Sequence, residues 1–281
     1  MRIAITGASG FIGRSLAGTL AAAGHTVQPV GRHAAAEESL RGCDAVLHLA
    51  GEPVAQRWTQ AAKARIRDSR IAGTANLVAA IARLPRKPEV LVCSSAIGYY
   101  GSRGDEILTE TSAPGADFLA EVCVAWERAA AAAEALGVRV VALRTGHVLG
   151  ARGGLMKRIL PPFRAGVGGR LGDGRQWMSW IHLDDMVALF QFAIANSVSG
   201  ALNAVAPHPV TNAEFTRALA AALHRPAIFP VPKLALRVLF GEMAEVIVSS
   251  QRVLPERAAA AGFVFRYPEL GPALEEILRA G

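Results

Sequence analysis

The sequence predicts an α/β protein, with a doubly wound parallel sheet joined to a smaller, mainly helical C-terminal lobe. Three observations predict it. Short apolar runs alternate with helical stretches through the first half of the chain, the order expected when helices cover both faces of a parallel sheet. A glycine-rich turn stands directly between the first apolar run and the first helical stretch. After Gly150 the alternation stops, and segments rich in glycine, proline and then alanine and leucine take over.

In chain order, residues 2–6, 26–30, 44–49, 89–94 and 138–143 read as strands, and helical stretches lie near 11–23, 60–82 and 118–136. The runs 44–49 and 138–143 are mostly apolar rather than alternating, as strands covered on both faces are. Residues 150–175 are rich in glycine and carry Pro161-Pro162, so they read as a loop or interdomain segment. A helix is expected over 184–196, with Asp184 as its N-cap. Thr211-x-x-Glu214 is a capping box, with Val210 and Phe215 as its hydrophobic staple. Residues 231–281 read as helical with short breaks.

The 281 residues allow two domains, and a 52% hydrophobic composition excludes a disordered chain. Cys43, Cys93 and Cys123 are odd in number and none sits in a CxxC, which argues against a disulfide framework or a cysteine zinc site and fits a reducing cytoplasm. No metal is expected. The longest nearly apolar run, 186–195, is broken by Gln191 and is well short of the roughly 18 residues of a membrane span. No membrane partner and no signal peptide are therefore expected. The net charge is +7, and all of it is accounted for by residues 57–87, where Arg57, Lys63, Arg65, Arg67, Arg70, Arg83, Arg86 and Lys87 face Asp68 alone. That run reads either as a field for a phosphorylated ligand or as a solvated helix face. Nucleic acid is not expected, because Trp58 is the one aromatic residue interleaved with these charges.

Thr6-Gly7-Ala8-Ser9-Gly10-Phe11-Ile12-Gly13 gives a GxxGxxG spacing between a strand and a helix, the arrangement of a Rossmann-type dinucleotide site. Gly7 turns the chain tightly, Gly10 lets the backbone approach a pyrophosphate, and Gly13 lets the helix pack on the strand. The pyrophosphate then meets the free N–H groups of the helix N-terminus. An NAD site usually ends its second strand on an acid that holds the ribose hydroxyls. Here the strand ends Val30-Gly31-Arg32-His33. Arg32 suits a 2′-phosphate instead, with Arg14 as an assistant, so NADP(H) is the cofactor expected.

These residues resemble the extended short-chain dehydrogenase/reductase superfamily over the whole chain. Asp44-Ala45-Val46-Leu47-His48-Leu49-Ala50-Gly51 looks like its third strand, which implies Asp44 near the adenine and Leu49, Ala50 and Gly51 near the ribose. Ser94-Ser95-Ala96-Ile97-Gly98-Tyr99-Tyr100-Gly101 looks like the strand that carries the catalytic serine, and Arg144-Thr145-Gly146-His147 like the segment passing the nicotinamide, which implies Ser94 and His147 at the cofactor. The closer resemblance is to an NADP-binding "epimerase family" subgroup with its own C-terminal domain. It is carried by Asp68-Ser69-Arg70-Ile71, Trp126-Glu127, residues 169–176, Ala206-Pro207 and Gly241-Glu242-Met243 … Ser250-Gln251-Arg252-Val253-Leu254-Pro255. It implies Arg70 close to the cofactor. Residues 1–165 are then expected as the dinucleotide-binding domain, with 176–205 returning to it, and 166–175 with 206–281 as the substrate lobe.

The superfamily's chemistry uses a Ser/Thr, a Tyr, and a Lys four residues after the Tyr. This chain has no Tyr-x-x-x-Lys: four residues after Tyr99, Tyr100 and Tyr267 come Arg103, Gly104 and Gly271. Alignment on Glu127 puts Leu119 and Cys123 at the Tyr and Lys positions, and Ala96 falls at the serine. Tyr99, Tyr100 and Ser95 are the candidates to replace the triad, with His147 and His182 as groups that titrate near neutral pH. The expected protein is an NADP(H)-binding oxidoreductase or epimerase acting on a small carbonyl or hydroxyl substrate, sugar-derived compounds included. The alternative is an NADP(H)-binding sensor without turnover.

Overall fold

A computed structural model describes residues 1–31 and 36–280. The first half follows the alternation of apolar and helical segments: β1 (Arg2–Thr6), α1 (Phe11–Ala22), β2 (Thr26–Val30), α2 (Ala36–Leu40), β3 (Ala45–His48), α3 (Gln60–Arg83) and β4 (Val90–Ala96). A 3₁₀ turn (Ile97–Tyr100), β5 (Ile107–Leu108), α4 (Phe118–Ala131), a second 3₁₀ turn (Ala132–Leu136), β6 (Arg139–Thr145) and β7 (His147–Leu149) follow. Then come α5 (Met156–Arg164), β8 (Trp177–Met178), β9 (Trp180–His182), α6 (Leu183–Ala195), β10 (Gly200–Ala204), β11 (Val210–Thr211) and α7 (Asn212–Leu223). The chain ends with α8 (Lys233–Phe240), α9 (Met243–Ile247), β12 (Arg252–Val253), α10 (Glu256–Ala260) and α11 (Leu270–Arg279).

Six strands make one parallel sheet in the order β10-β6-β4-β3-β1-β2. Its apolar strands are sealed on both faces, which is why they do not alternate. On one face Ile3, Ile5, Val90, Val92, Val141 and Leu143 pack with Leu16 and Leu20 of α1 and Phe190 of α6. On the other, Ala4, Val46, Leu91 and Cys93 pack with Ile81 of α3 and Trp126 of α4. The strand order reverses at β1, with β2 on one side and β3 on the other. In an open α/β sheet, the crevice at such a switch point, beyond the strand C-termini, is where ligands bind.

Four elements differ from the sequence reading. β4 and β6 each run two residues further, pairing Ser95 with Arg144 and Ala96 with Thr145; the polar residues there end the apolar pattern but not the strand. The expected helix 118–136 tightens to 3₁₀ after Ala131. Residues 156–164, expected as loop, form α5 with Pro161 and Pro162 inside it. Its apolar stripe, Met156, Leu160 and Phe163, is buried in a third cluster with Leu219 of α7 and Leu274 of α11. The capping box at Thr211 and Glu214 forms in full.

The C-terminal segment does not stand apart from the sheet. β12 pairs with β5, and Ala258 and Phe263 join the cluster that holds β1 and α6. The Asp185 carboxylate, 1% exposed, accepts from the N–H groups of Arg266 (2.8 Å) and Tyr267 (2.9 Å). Asp184 does not cap α6. The His182 ring does so, through Nδ1 accepting from Asp184 N at 3.1 Å. Nε2 therefore carries the proton and donates to Glu276 at 2.8 Å.

Candidate functional site at the sheet switch point

Gly7 ends β1 with φ +73°, and a Cβ there would meet Leu49 C and Ala50 N at 2.9 Å. Only glycine lets the turn lie against the end of β3. Gly10 N donates to Gly7 O at 2.9 Å, closing the turn. A Cβ on Gly13 would fall 2.2 Å from Gly7 O, so the helix crosses the turn at backbone contact. Ser9 and Gly10 are exposed, and the nearest atom to a Cβ on Gly10 is Gly7 O at 3.2 Å. The N–H groups of Phe11, Ile12 and Gly13 open α1 without intrahelical partners. Among the described residues no side chain caps them, and no acid lies in the first turn. An anion is favoured there by both the free donors and the helix dipole. The Phe11 ring points elsewhere, filling the space over Gly150, Gly153 and Gly154, where added Cβ atoms would meet it at 2.9, 2.2 and 2.8 Å.

A buried chain of hydrogen bonds fixes the rim of this crevice. Thr6 Oγ1 bonds His48 Nδ1 (2.6 Å), His48 Nε2 bonds Thr74 Oγ1 (2.9 Å), and Ala50 N donates to Thr6 Oγ1 (3.2 Å). Burial, together with the Arg70 cation, lowers His48 to about 4. The ring is therefore neutral at pH 7.

Several expected site residues lie elsewhere or are already engaged. Asp44 precedes β3 at the end of the sheet opposite the crevice, accepts from Arg2 N at 2.7 Å and pairs with Arg86. Position along the strand excludes it from an adenine site. Arg70 turns inward beneath Gly51, where a Cβ would lie 3.3 Å from its guanidinium carbon. It donates to Glu52 O (3.0 Å) and Ile66 O (3.1 Å) and stacks on Trp126, so it supports the Gly51 loop from below. Arg14 lines a concavity of about 600 Å³ with Arg152, His182 and Asp184, on the side of α1 that faces α6. Arg32 lies outside the described residues, while Gly31 before it is exposed. Ile12 and Leu49 pack against the core, and Ser94 is half-buried. Among the described residues, five of the eight cations in 57–87 pair with carboxylates: Lys63 with Glu242, Arg65 with Glu52, Arg67 with Asp68, Arg83 with Glu37 and Arg86 with Asp44.

Of the triad substitutes, Ser95 is buried and donates to Glu127 Oε1 at 2.6 Å. Tyr100 is fully buried; its hydroxyl donates to Asn203 Oδ1 (2.6 Å) and accepts from Arg144 (3.0 Å), and burial pushes it up to about 12. Neither hydroxyl is available to a ligand. Arg144 makes a two-pronged pair with Glu127, both bonds at 2.9 Å, and its guanidinium lies 3.4 Å from the centre of the Tyr99 ring. Tyr99 is half-buried and its hydroxyl has no partner among the described residues. His147 is accessible to solvent but so closely walled by protein that desolvation lowers its imidazole. Leu119 and Cys123, expected from sequence at the family's Tyr and Lys positions, close over Gly98, whose added Cβ would meet them at 3.3 and 3.9 Å. Burial pushes the Cys123 thiol up to about 12, which leaves it inert at neutral pH.

Comparison with known proteins agrees with this geometry. The model of the NAD dependent epimerase/dehydratase family matches residues 3–205. The chain belongs to that family. A domain of unknown function, DUF1731, matches residues 231–277. Within the family, the epimerase family protein Mb2239 of Mycobacterium bovis is 43% identical over 97% of this chain and 96% of its own length. A protein of Arabidopsis thaliana named "Epimerase family protein SDR39U1 homolog, chloroplastic" is 40% identical over 99% of this chain and 87% of its own length. The crystal structure of human epimerase family protein SDR39U1 with NADPH superposes with a TM-score of 0.93 at 36% identity, covering 99% of each chain.

Proposed function

We propose that this chain binds NADP(H) at the β1–α1 turn and uses it for hydride transfer to or from a small carbonyl or hydroxyl compound, sugar-derived compounds included. The observation that carries the reading is the uncapped N-terminus of α1, opening beside an exposed Gly10 at the switch point of the sheet. The described residues fit the cofactor: the N–H groups of Phe11, Ile12 and Gly13 would hold the pyrophosphate, and Ala50 and Gly51 the ribose side; the sequence offers Arg32, outside the described residues, for the 2′-phosphate. The human relative crystallised with NADPH supports the same choice. When bound, the nicotinamide gives or takes up a hydride.

A carbonyl that gains a hydride at carbon also needs a proton at oxygen. We assign that proton to Tyr99, whose hydroxyl is unengaged among the described residues. Arg144, stacked on the ring and anchored by Glu127, fixes its orientation. A second reading, a sensor that binds NADP(H) without turnover, is favoured by the inert packing of Ala96, Leu119 and Cys123.

The test is incubation with NADPH and a panel of carbonyl compounds, following loss of nicotinamide absorbance. Turnover that Tyr99→Phe lowers by roughly 10²–10⁴ supports the enzyme. Binding without turnover on every compound supports the sensor, and no NADPH binding overturns both. Arg32→Ala should lower the preference for NADPH over NADH by about ten- to a hundredfold in calorimetry.

A further inference from the structure

Among the described residues eight large hydrophobic side chains are exposed, and five of them, Val167, Ile228, Phe229, Leu234 and Val238, belong to one corner of the C-terminal lobe. Ile228 and Leu234 are each 73% exposed and Val238 68%. Backbone pairing brings them together. Val231 N donates to Arg170 O at 2.8 Å, and Gly172 N donates to Val231 O at 2.9 Å. Gly169 lies so close that an added Cβ would fall 1.7 Å from Phe229 O. α8 begins two residues after Val231, with Leu234 and Val238 four apart on one of its faces. Apolar side chains gathered in this way mark a contact surface, where scattered ones would not.

The surrounding charge selects the partner. Residues 156–172 and 224–241 contain seven basic residues and no acidic one. Arg164, Arg170, Arg225 and Lys233 are exposed and make no ion pair among the described residues. A two-fold contact with a second copy would set this ring of cations against itself. An anionic bilayer meets both features, because apolar tips enter the headgroup boundary while cations pair with lipid phosphates. We propose that this corner docks the protein on the surface of an anionic membrane. No helix among the described residues is long and apolar enough to cross one, so the contact is peripheral. It departs from the sequence expectation of no membrane partner, and it does not depend on NADP(H) or on catalysis.

The experiment is co-sedimentation of the full chain with vesicles of phosphatidylcholine alone or with about a third phosphatidylserine. Binding is expected to the anionic vesicles, with little to the neutral ones, and is expected to fall steeply between 0.1 and 0.5 M salt, as screening requires (Debye length ~10 Å at 0.1 M). Arg225→Glu and Lys233→Glu should each weaken it about fivefold or more. The double variant Leu234→Ser/Val238→Ser should weaken it on the order of tenfold or more. These side chains are exposed, so the variants keep the wild-type circular dichroism and NADPH affinity. Equal binding to neutral vesicles, or none to either, overturns the proposal. So does sedimentation equilibrium showing a dimer that the Leu234→Ser/Val238→Ser variant dissociates, which would assign the patch to a second copy.

Discussion

Gly10 and Gly13 sit three residues apart in one turn, and their substitution should have opposite consequences. Gly10 has ordinary extended angles, φ −73° and ψ 176°, and its one close neighbour is Gly7 O, 3.2 Å from an added Cβ, so Gly10→Val should still fold, with a modest loss of melting temperature. It should also lose NADPH affinity by more than tenfold, because the side chain fills the path of the pyrophosphate. Gly13→Ala puts a Cβ 2.2 Å from a carbonyl oxygen and should lower stability itself by about 1–3 kcal/mol, read by denaturant titration. His48 makes a separate prediction. Its folded value is about 4 against the ordinary 6.5, so between those values the unfolded chain binds a proton that the folded chain refuses. Stability is full above pH 6.5 and falls as pH drops toward 4, by up to about 3 kcal/mol. In His48→Gln the difference between urea midpoints at pH 7 and pH 4.5 should shrink. An unchanged difference would remove His48 from the account.

β4, α4, β6 and β10 meet at one polar knot of Ser95, Tyr100, Glu127, Arg144 and Asn203, which engages two of the three catalytic candidates read from sequence, Ser95 and Tyr100. A tyrosine and a serine at a strand end look like chemistry until their partners are known. Those partners lie far away in sequence: Tyr100 reaches Asn203 across 103 residues and Ser95 reaches Glu127 across 32. No local pattern reveals such pairs. The one signal is that an apolar strand ends in Arg144, a charge that must find an anion if the strand is central. The glycine turn, by contrast, was legible because its requirements are local: a tight bend, an open backbone and a helix start within eight residues. Asp44 near the adenine was implied by the resemblance alone; in a parallel sheet the crevice lies beyond the strand C-termini, and Asp44 precedes β3 at the other end. Arg144→Lys keeps the charge but loses the two-pronged fit and the stacking on Tyr99. It should cost about 1–3 kcal/mol, measured by thermal denaturation, while Glu127→Gln should cost about 3–5 kcal/mol by leaving Arg144 uncompensated.

The whole molecule binds its end to its beginning. A chain stopped at residue 230, just before the matched domain of unknown function, would lose Val253, Ala258 and Phe263 from the interior. It would also strip the buried Asp185 carboxylate of both its donors. Such a fragment should not melt cooperatively and should bind a hydrophobic dye strongly, whereas two independent domains would leave residues 1–230 folded. The return of residues 251–267 was not legible in the sequence, because β12 is two residues long and carries no periodicity to read.

The tail threaded back under α6 sets an order of events during synthesis. When residue 205 leaves the ribosome, all six strands of the sheet have been made, yet Asp185 still waits for Arg266 and Tyr267, and Phe192 of α6 for Phe263. At roughly 5–20 residues per second that wait lasts on the order of 3–12 s, far longer than a small sheet needs to collapse. Through that interval the nascent chain exposes the apolar side chains that Ala258 and Phe263 later cover, and an unpaired carboxylate, together. The holding of newly made chains, rather than the stability of the finished fold, becomes the step at which a cell would first notice damage to residues 251–267.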